Sequence, residues 1–242
     1  MWGTSLPPFA TWHSSMDGCE ASPMKIKRLI DILGAAFGLI LMSPVAVIIG
    51  LVIQRTSAGP VIYRAPRVGR DGNEFRALKF RTMVVNASVI GPAVTGRMDP
   101  RVTSAGRILR RSRLDELPQL VNVLRGEMSL VGPRPEAPVY VAMYRPEDHL
   151  ILTVRPGITG LAQLCFRDEE NWLNPQNPAS YVVDILPFKL AIDRYYVRHR
   201  SNIMDVVILV DTVLALLSRP RLSTRYIEAS GVMTALLFKR SN

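Results

Sequence analysis

The chain has 242 residues, long enough for one well-packed domain with an attached element. Its 48% hydrophobic content excludes a disordered protein, and its formal net charge of +10 calls for an anionic partner: nucleic acid, an acidic membrane surface or a phosphorylated substrate. Cys19 and Cys165 are too few and too far apart for a metal cluster or a disulfide framework, which suits a reducing setting, and His13, His149 and His199 are scattered without ligand spacing.

Residues 1–23 contain no Lys or Arg and therefore lack the basic start of a signal peptide; they read as a flexible tail. Residues 32–53 form an apolar run whose single polar side chain is Ser43. About 20 apolar residues are enough for a helix to cross a bilayer. Pro44 lies mid-run, where loss of a backbone donor favours a bend. Basic residues flank both ends, Lys25, Lys27 and Arg28 before and Arg55, Arg64, Arg67 and Arg70 after. The positive-inside rule then asks for both ends on one side. A re-entrant segment satisfies it, while a spanning helix stays open as the alternative.

Residues 60–64 and 74–80 are strand-like and are separated by a turn composition at 69–73, which predicts a β-hairpin. Residues 83–100 read as a loop. Leu114, Leu117, Leu120, Val121 and Leu124 recur at helical spacing, and Gly126 is a plausible stop. Residues 203–217 are apolar yet carry Asp205 and Asp211, which points to an interfacial or core helix. Residues 224–240 fit a final amphipathic helix.

The stretch 107–119, RILRRSRLDELPQ, crowds Arg107, Arg110, Arg111 and Arg113 before Asp115 and Glu116. Ser112-x-x-Asp115 has capping-box spacing, and Pro118 suits a first helical turn. Both details put the acidic pair near a helix N-terminus, where it either caps the helix or works on anions. Two further elements set an arginine on a rigid turn: Arg134 between Pro133 and Pro135, and Arg155 before Pro156 and Gly157. Arginine's planar fork binds phosphate oxygens bidentately.

In order and spacing, LMSPV at 41–45, KFRTM at 79–83, RRSRLDELPQL at 110–120, NVLRGEMSLVGPRPE at 122–136, VRPGITGLAQ at 154–163 and DRYYV at 193–197 resemble the bacterial sugar transferase family. These are monotopic polyprenyl-phosphate phosphoglycosyl transferases, and the chain looks like the small catalytic-core type. The resemblance implies an α+β, membrane-associated fold. Residues 24–56 would form a re-entrant helical hairpin broken at Ser43-Pro44. Residues 57–242 would form a compact, largely helical catalytic domain with a small β-hairpin and amphipathic interfacial helices, on the cytoplasmic face of the bacterial inner membrane.

It also implies a reaction. A sugar 1-phosphate passes from a UDP-sugar to undecaprenyl phosphate with release of UMP, initiating exopolysaccharide, O-antigen, capsule or glycoprotein glycan assembly. Asp115 matches the nucleophile of a covalent phosphosugar–aspartyl intermediate, and Glu116 its neighbour associated with Mg²⁺, with Asp115 sharing the metal. Arg110 and Arg134 match phosphate contacts, with Lys79 and Arg155 as further candidates. Anionic lipids are expected partners, nucleic acid is not, and a homodimer through the apolar C-terminal helices is compatible. The segment after Gln163, Leu-Cys-Phe-Arg-Asp-Glu-Glu170, departs from the Val-Asn-Gly-Arg-like stretch of many members, which leaves the sugar open. The rival readings are a membrane-tethered basic scaffold without catalysis, and a nucleic-acid-binding protein resting on charge alone.

Overall fold

The computed structural model describes residues 21–87, 91, 99–167 and 181–216. The greater part of the expected tail and the expected helix at 224–240 lie outside them.

Helix α1 (Ala21–Thr56) leads the described chain. It is the one described helix long and apolar enough to cross a membrane, with mean hydropathy 2.6 in its most apolar stretch. The sequence predicts a break at Ser43-Pro44; helical conformation instead runs on through Pro44, which lies inside the helix. Proline has no N–H for the carbonyl four residues back, that of Ile40. The Ser43 hydroxyl donates to this same carbonyl at 2.8 Å. Serine thus supplies the donor that its neighbour lacks.

Both halves of α1 pack on the domain that follows. In the first half, Asp31 accepts from the Ser129 hydroxyl (3.0 Å) and the Leu130 N–H (2.9 Å). Ala35 is fully buried with Val123 and Met128. In the second half, Ile49 and Ile53 are buried with Phe80 and Leu109. Between the halves, Ile40 is 75% exposed and Leu41 55%.

The predicted hairpin is present. Strands β1 (Ile62–Val68) and β2 (Glu74–Phe80) pair antiparallel around a tight 3₁₀ turn at Arg70–Gly72. Helix α2 (Ser104–Ser112) is capped by Thr103, whose hydroxyl accepts the Gly106 N–H at 3.0 Å. A 3₁₀ turn at Leu114–Glu116 follows, then helix α3 (Gln119–Arg125), which ends at Gly126 in the left-handed region, φ 84°. The expected capping box does not form: the Ser112 hydroxyl donates back to the Ile108 and Leu109 carbonyls, closing the helix before the acidic pair.

Strands β3 (Ser129–Val131) and β4 (Gly157–Thr159) make a two-stranded parallel sheet that the sequence does not announce. Between them lie a short helix α4 (Pro138–Val141) and a 3₁₀ stretch at Pro146–Thr153. Helix α5 (Leu161–Cys165) follows β4, and α6 (Leu186–His199) and α7 (Asn202–Leu216) close the described chain. The largest apolar core joins α5, α6 and α7 to β3 through Leu161, Ile192, Tyr196, Ile208 and Val131. Helix α7 covers the segment expected at 203–217 as an interfacial or core helix, and its acidic side chains are turned inward: Asp211 is fully buried, and Asp205 accepts from Lys27 (2.6 Å) and the Tyr196 hydroxyl (2.6 Å).

One close approach fixes α2 on the end of the hairpin. A Cβ on Gly106 would stand 2.0 Å from the Thr82 carbonyl oxygen. Backbone cannot yield as a flexible side chain can, so Gly106→Ala is expected to cost about 2–3 kcal/mol through overpacking. Chemical denaturation would show it as a lower midpoint; an unchanged midpoint would mean that α2 shifts freely.

Candidate active site

Strand β2 delivers Lys79 from one side, and the turn between α2 and α3 delivers the acidic pair. The connection is held by a side chain that sequence reasoning missed. Buried Asn122 accepts the Leu78 N–H (2.9 Å) and donates to the Arg76 carbonyl (2.8 Å), clasping α3 to β2. With that clasp in place, Lys79 Nζ donates to Glu116 Oε1 at 2.8 Å. Arg134, on the loop after β3, donates to the same oxygen at 2.9 Å.

Asp115 and Glu116 are both buried, at 8% and 7% exposure. They sit on the 3₁₀ turn directly before α3. Arg113 enters that turn with φ 59°, a left-handed conformation that costs a non-glycine residue roughly 1–2 kcal/mol. Its guanidinium donates to the Arg167 carbonyl at 2.8 Å, which anchors the strained residue. Arg110 donates through Nε to the Thr82 hydroxyl at 2.9 Å, so the residue before Met83 in the KFRTM stretch orients an arginine beside the pair.

The two carboxyls are driven apart. Burial pushes Asp115 up and the charge of Glu116 pushes it further, while Lys79, Arg110 and Arg113 pull it down without overcoming them. Burial acts in the same sense on Glu116, but Arg134, Lys79 and Arg113 outweigh it and hold that carboxyl well below its usual range. Asp115 Oδ1 is buried with no hydrogen-bond partner. An unpartnered carboxylate oxygen in a cationic setting is the arrangement expected of a nucleophile or an ion ligand.

Behind Arg134 lies a second buried network. Glu136 accepts from the Tyr181 hydroxyl (2.8 Å) and pairs with Lys189 at 3.3 Å. Burial raises the Glu136 carboxyl, but Lys189, Tyr181, Arg134 and Arg67 bring it below its usual value. Asp193, pushed up to about 8 chiefly by burial, takes a backbone hydrogen bond from Arg134. Lys189 and Asp193 went unassigned in the sequence. Their signal was two ionisable residues four apart on an apolar helix, one of them opening the DRYYV stretch.

The structure therefore brings together Lys79, Arg110, Asp115, Glu116 and Arg134. Arg155 goes elsewhere: its Nε donates to the Gly126 carbonyl (2.8 Å) at the far end of α3. Ser43 and Pro44 are on α1, apart from the acidic pair in role and element. Exposed His149 and His199 each bond a carbonyl of their own helical turn, as ordinary surface histidines do.

Among curated proteins the chain is 37% identical over 204 residues to exopolysaccharide production protein ExoY of Sinorhizobium fredii, covering 78% of this chain and 84% of that protein. It is 38% identical over 195 residues to a UDP-glucose:undecaprenyl-phosphate glucose-1-phosphate transferase of Caulobacter vibrioides, covering 79% and 70%. It is 36% identical over 198 residues to a UDP-N-acetylgalactosamine-undecaprenyl-phosphate N-acetylgalactosaminephosphotransferase of Aeromonas hydrophila, covering 80% of this chain but 44% of that protein, so it spans less than half of the longer relative. The family model described as bacterial sugar transferase matches residues 22–219, which takes in every residue of the site. The chain belongs to the bacterial sugar transferase family.

Proposed function

We propose that the protein transfers a sugar 1-phosphate from a UDP-sugar to undecaprenyl phosphate, with Asp115 as the nucleophile. The observation that carries this reading is the buried, unpartnered Asp115 Oδ1 beside an ionised Glu116 and four cationic side chains, Lys79, Arg110, Arg113 and Arg134. In the first step an Asp115 oxygen bonds to the sugar-bearing phosphorus, and the bond from that phosphorus to the bridging oxygen breaks. UMP leaves with the electron pair. In the second step a phosphate oxygen of the polyprenyl carrier bonds to the same phosphorus, and the aspartyl–phosphorus bond breaks to restore the carboxylate.

Lys79, Arg110 and Arg134 offset the charge of an anion approaching an anion, the main obstacle in phosphoryl transfer. Burial of the turn keeps water from intercepting the aspartyl intermediate. The donors also fit Mg²⁺, a hard cation bound by one or two carboxylates plus substrate phosphates and waters. Asp115 Oδ1 and Glu116 would hold it, and the described residues contain no group of three ligating side chains that would suggest a closed metal cage. When bound it supplies the positive charge that Asp115 needs to stay ionised. A panel of UDP-sugars with purified protein, polyprenyl phosphate and Mg²⁺ tests the reading through UMP release. A burst equal to enzyme without acceptor, and turnover with it, is expected; no UMP with any sugar leaves the scaffold.

The same proposal puts α1 in the cytoplasmic leaflet of the inner membrane as a re-entrant segment. In support, both halves of α1 pack on one domain and the exposed apolar residues of its middle face away from it. On α7, Ile203, Val206, Val210 and Val213 are exposed along one helical stripe, which suits an interfacial helix or a homodimer contact. Pro44→Ala restores the missing donor, so α1 should straighten toward a spanning helix. Cysteine-accessibility labelling of the Lys25 flank would then report a periplasmic fraction; a flank that stays wholly cytoplasmic would remove proline as the cause of the turn-back.

A further inference from the structure

The basic charge of the chain is not spent only at Asp115. At the far end of α3, whose seven residues make about 10 Å of helix, a cavity of about 50 Å³ is lined by Lys27, Arg28, Asp31, Arg70, Arg155 and Arg200 among others. Its acid is already engaged, since Asp31 accepts from Ser129 and Leu130. Lys27 is engaged too, paired with Asp205 at 2.6 Å. Four arginines remain around one opening, Arg70 among them in an exposed pair with Asp71 at 3.0 Å that solvent screens.

Two of them are held in place by backbone. Arg28 donates to the Val123 (2.8 Å) and Leu124 (3.1 Å) carbonyls, and Arg155 to that of Gly126, so both close the C-terminal end of α3. The other two, Arg70 and Arg200, are exposed at the rim. The cluster carries a cost: burial lowers the Arg155 pKa, and repulsion from Arg70 and Arg28 lowers it further. Guanidinium groups gathered against mutual repulsion, on a pre-ordered backbone, suit an oxyanion.

The level of the cavity along α1 identifies the anion. Exposed apolar side chains crowd the turns after Arg28, with Leu29 and Ile30, then Leu33 and Phe37, the last 68% exposed, whereas among the described side chains before it Ile26 alone is apolar and stands beside Lys25 and Lys27. Arg28 therefore stands where an aqueous surface gives way to an apolar one. We propose that Arg28, Arg70, Arg155 and Arg200 form a second phosphate site, separate from the catalytic one, that takes the phosphodiester headgroup of an anionic glycerophospholipid with its acyl chains along the Leu29–Leu33–Phe37 side of α1. This rests on the membrane placement above and not on the phosphoryl-transfer chemistry.

The test uses the full protein in nanodiscs of phosphatidylcholine with a minority of phosphatidylglycerol, and native mass spectrometry counts the lipids retained. Arg70 and Arg200 cap no carbonyl of α3, so R70Q/R200Q preserves the scaffold. It should lower the retention of phosphatidylglycerol over phosphatidylcholine about 25-fold, roughly fivefold for each arginine. R64Q/R76Q removes the same charge from the exposed hairpin and should leave that preference in place. Equal losses in the two variants would reduce the cluster to diffuse surface charge and overturn the site. Displacement of phosphatidylglycerol by millimolar inorganic phosphate would make it a free-phosphate site. An unchanged lipid preference with a raised KM for polyprenyl phosphate would assign the arginines to the acceptor instead. UMP release by R70Q/R200Q in detergent should match wild type, so loss of the lipid site and loss of the catalytic reading are told apart.

Discussion

Asp115→Asn should reduce sugar-phosphate transfer by roughly 10⁴-fold or more, as removal of a covalent nucleophile does. The protein should remain folded and in the membrane fraction. The substitution nearly preserves shape, and Oδ1 makes no hydrogen bond to lose. It also removes a buried charge that both desolvation and Glu116 oppose. Thermal stability should therefore hold or rise by a few degrees while activity vanishes, the signature of a site that trades stability for function. Glu116→Gln would behave differently, because it takes from Lys79 and Arg134 the carboxylate they share in a buried setting. The two variants are separated by a melting curve and a UMP burst assay run side by side. A normal burst from Asp115→Asn would remove it as the nucleophile.

The second large effect is expected from Arg134→Lys. Charge is conserved, yet the guanidinium serves in a set geometry: it donates to Glu116 Oε1 while its backbone is tied to Asp193 behind. A flexible ammonium cannot reproduce a planar fork. A loss of about 10²–10³-fold in kcat is expected, comparable with removal of one preorganised donor at a developing charge. KM for the UDP-sugar should change much less. If kcat stays within a factor of a few, Arg134 acts only as a structural counter-ion to Glu116.

Much of the site was legible because it is local. The pair at 115–116, the arginines before it and the rigid Pro-Arg-Pro turn are each contiguous in sequence, and their physical meaning follows from residue type. The hairpin was legible for the same reason, though its first strand starts and ends later than predicted. It runs on through Pro66 because a two-stranded sheet is all edge, where proline is tolerated opposite Arg76. What local pattern could not reveal was pairing across distance. Strands β3 and β4 are three residues each, too short for periodicity, and pair from opposite sides of α4. The Asn122 clasp and the Glu136–Lys189–Tyr181 network are invisible for the same reason: single polar residues gain meaning only from the partners that folding brings. Arg155 looked like Arg134 in sequence, one arginine on a proline turn, and only the tertiary fold sends it to the other end of α3.

The Ser43 hydroxyl bonded to the Ile40 carbonyl has a consequence for where this helix can live. In water a carbonyl abandoned by proline finds a solvent molecule at once. In hydrocarbon it finds none, and an unmet backbone group there costs several kcal/mol. Proline alone would thus make a segment that bends but is unwelcome in oil. Serine one position earlier carries a substitute for the missing water inside the chain itself. The dipeptide separates two requirements, flexibility of the backbone and solubility in lipid, and assigns one residue to each.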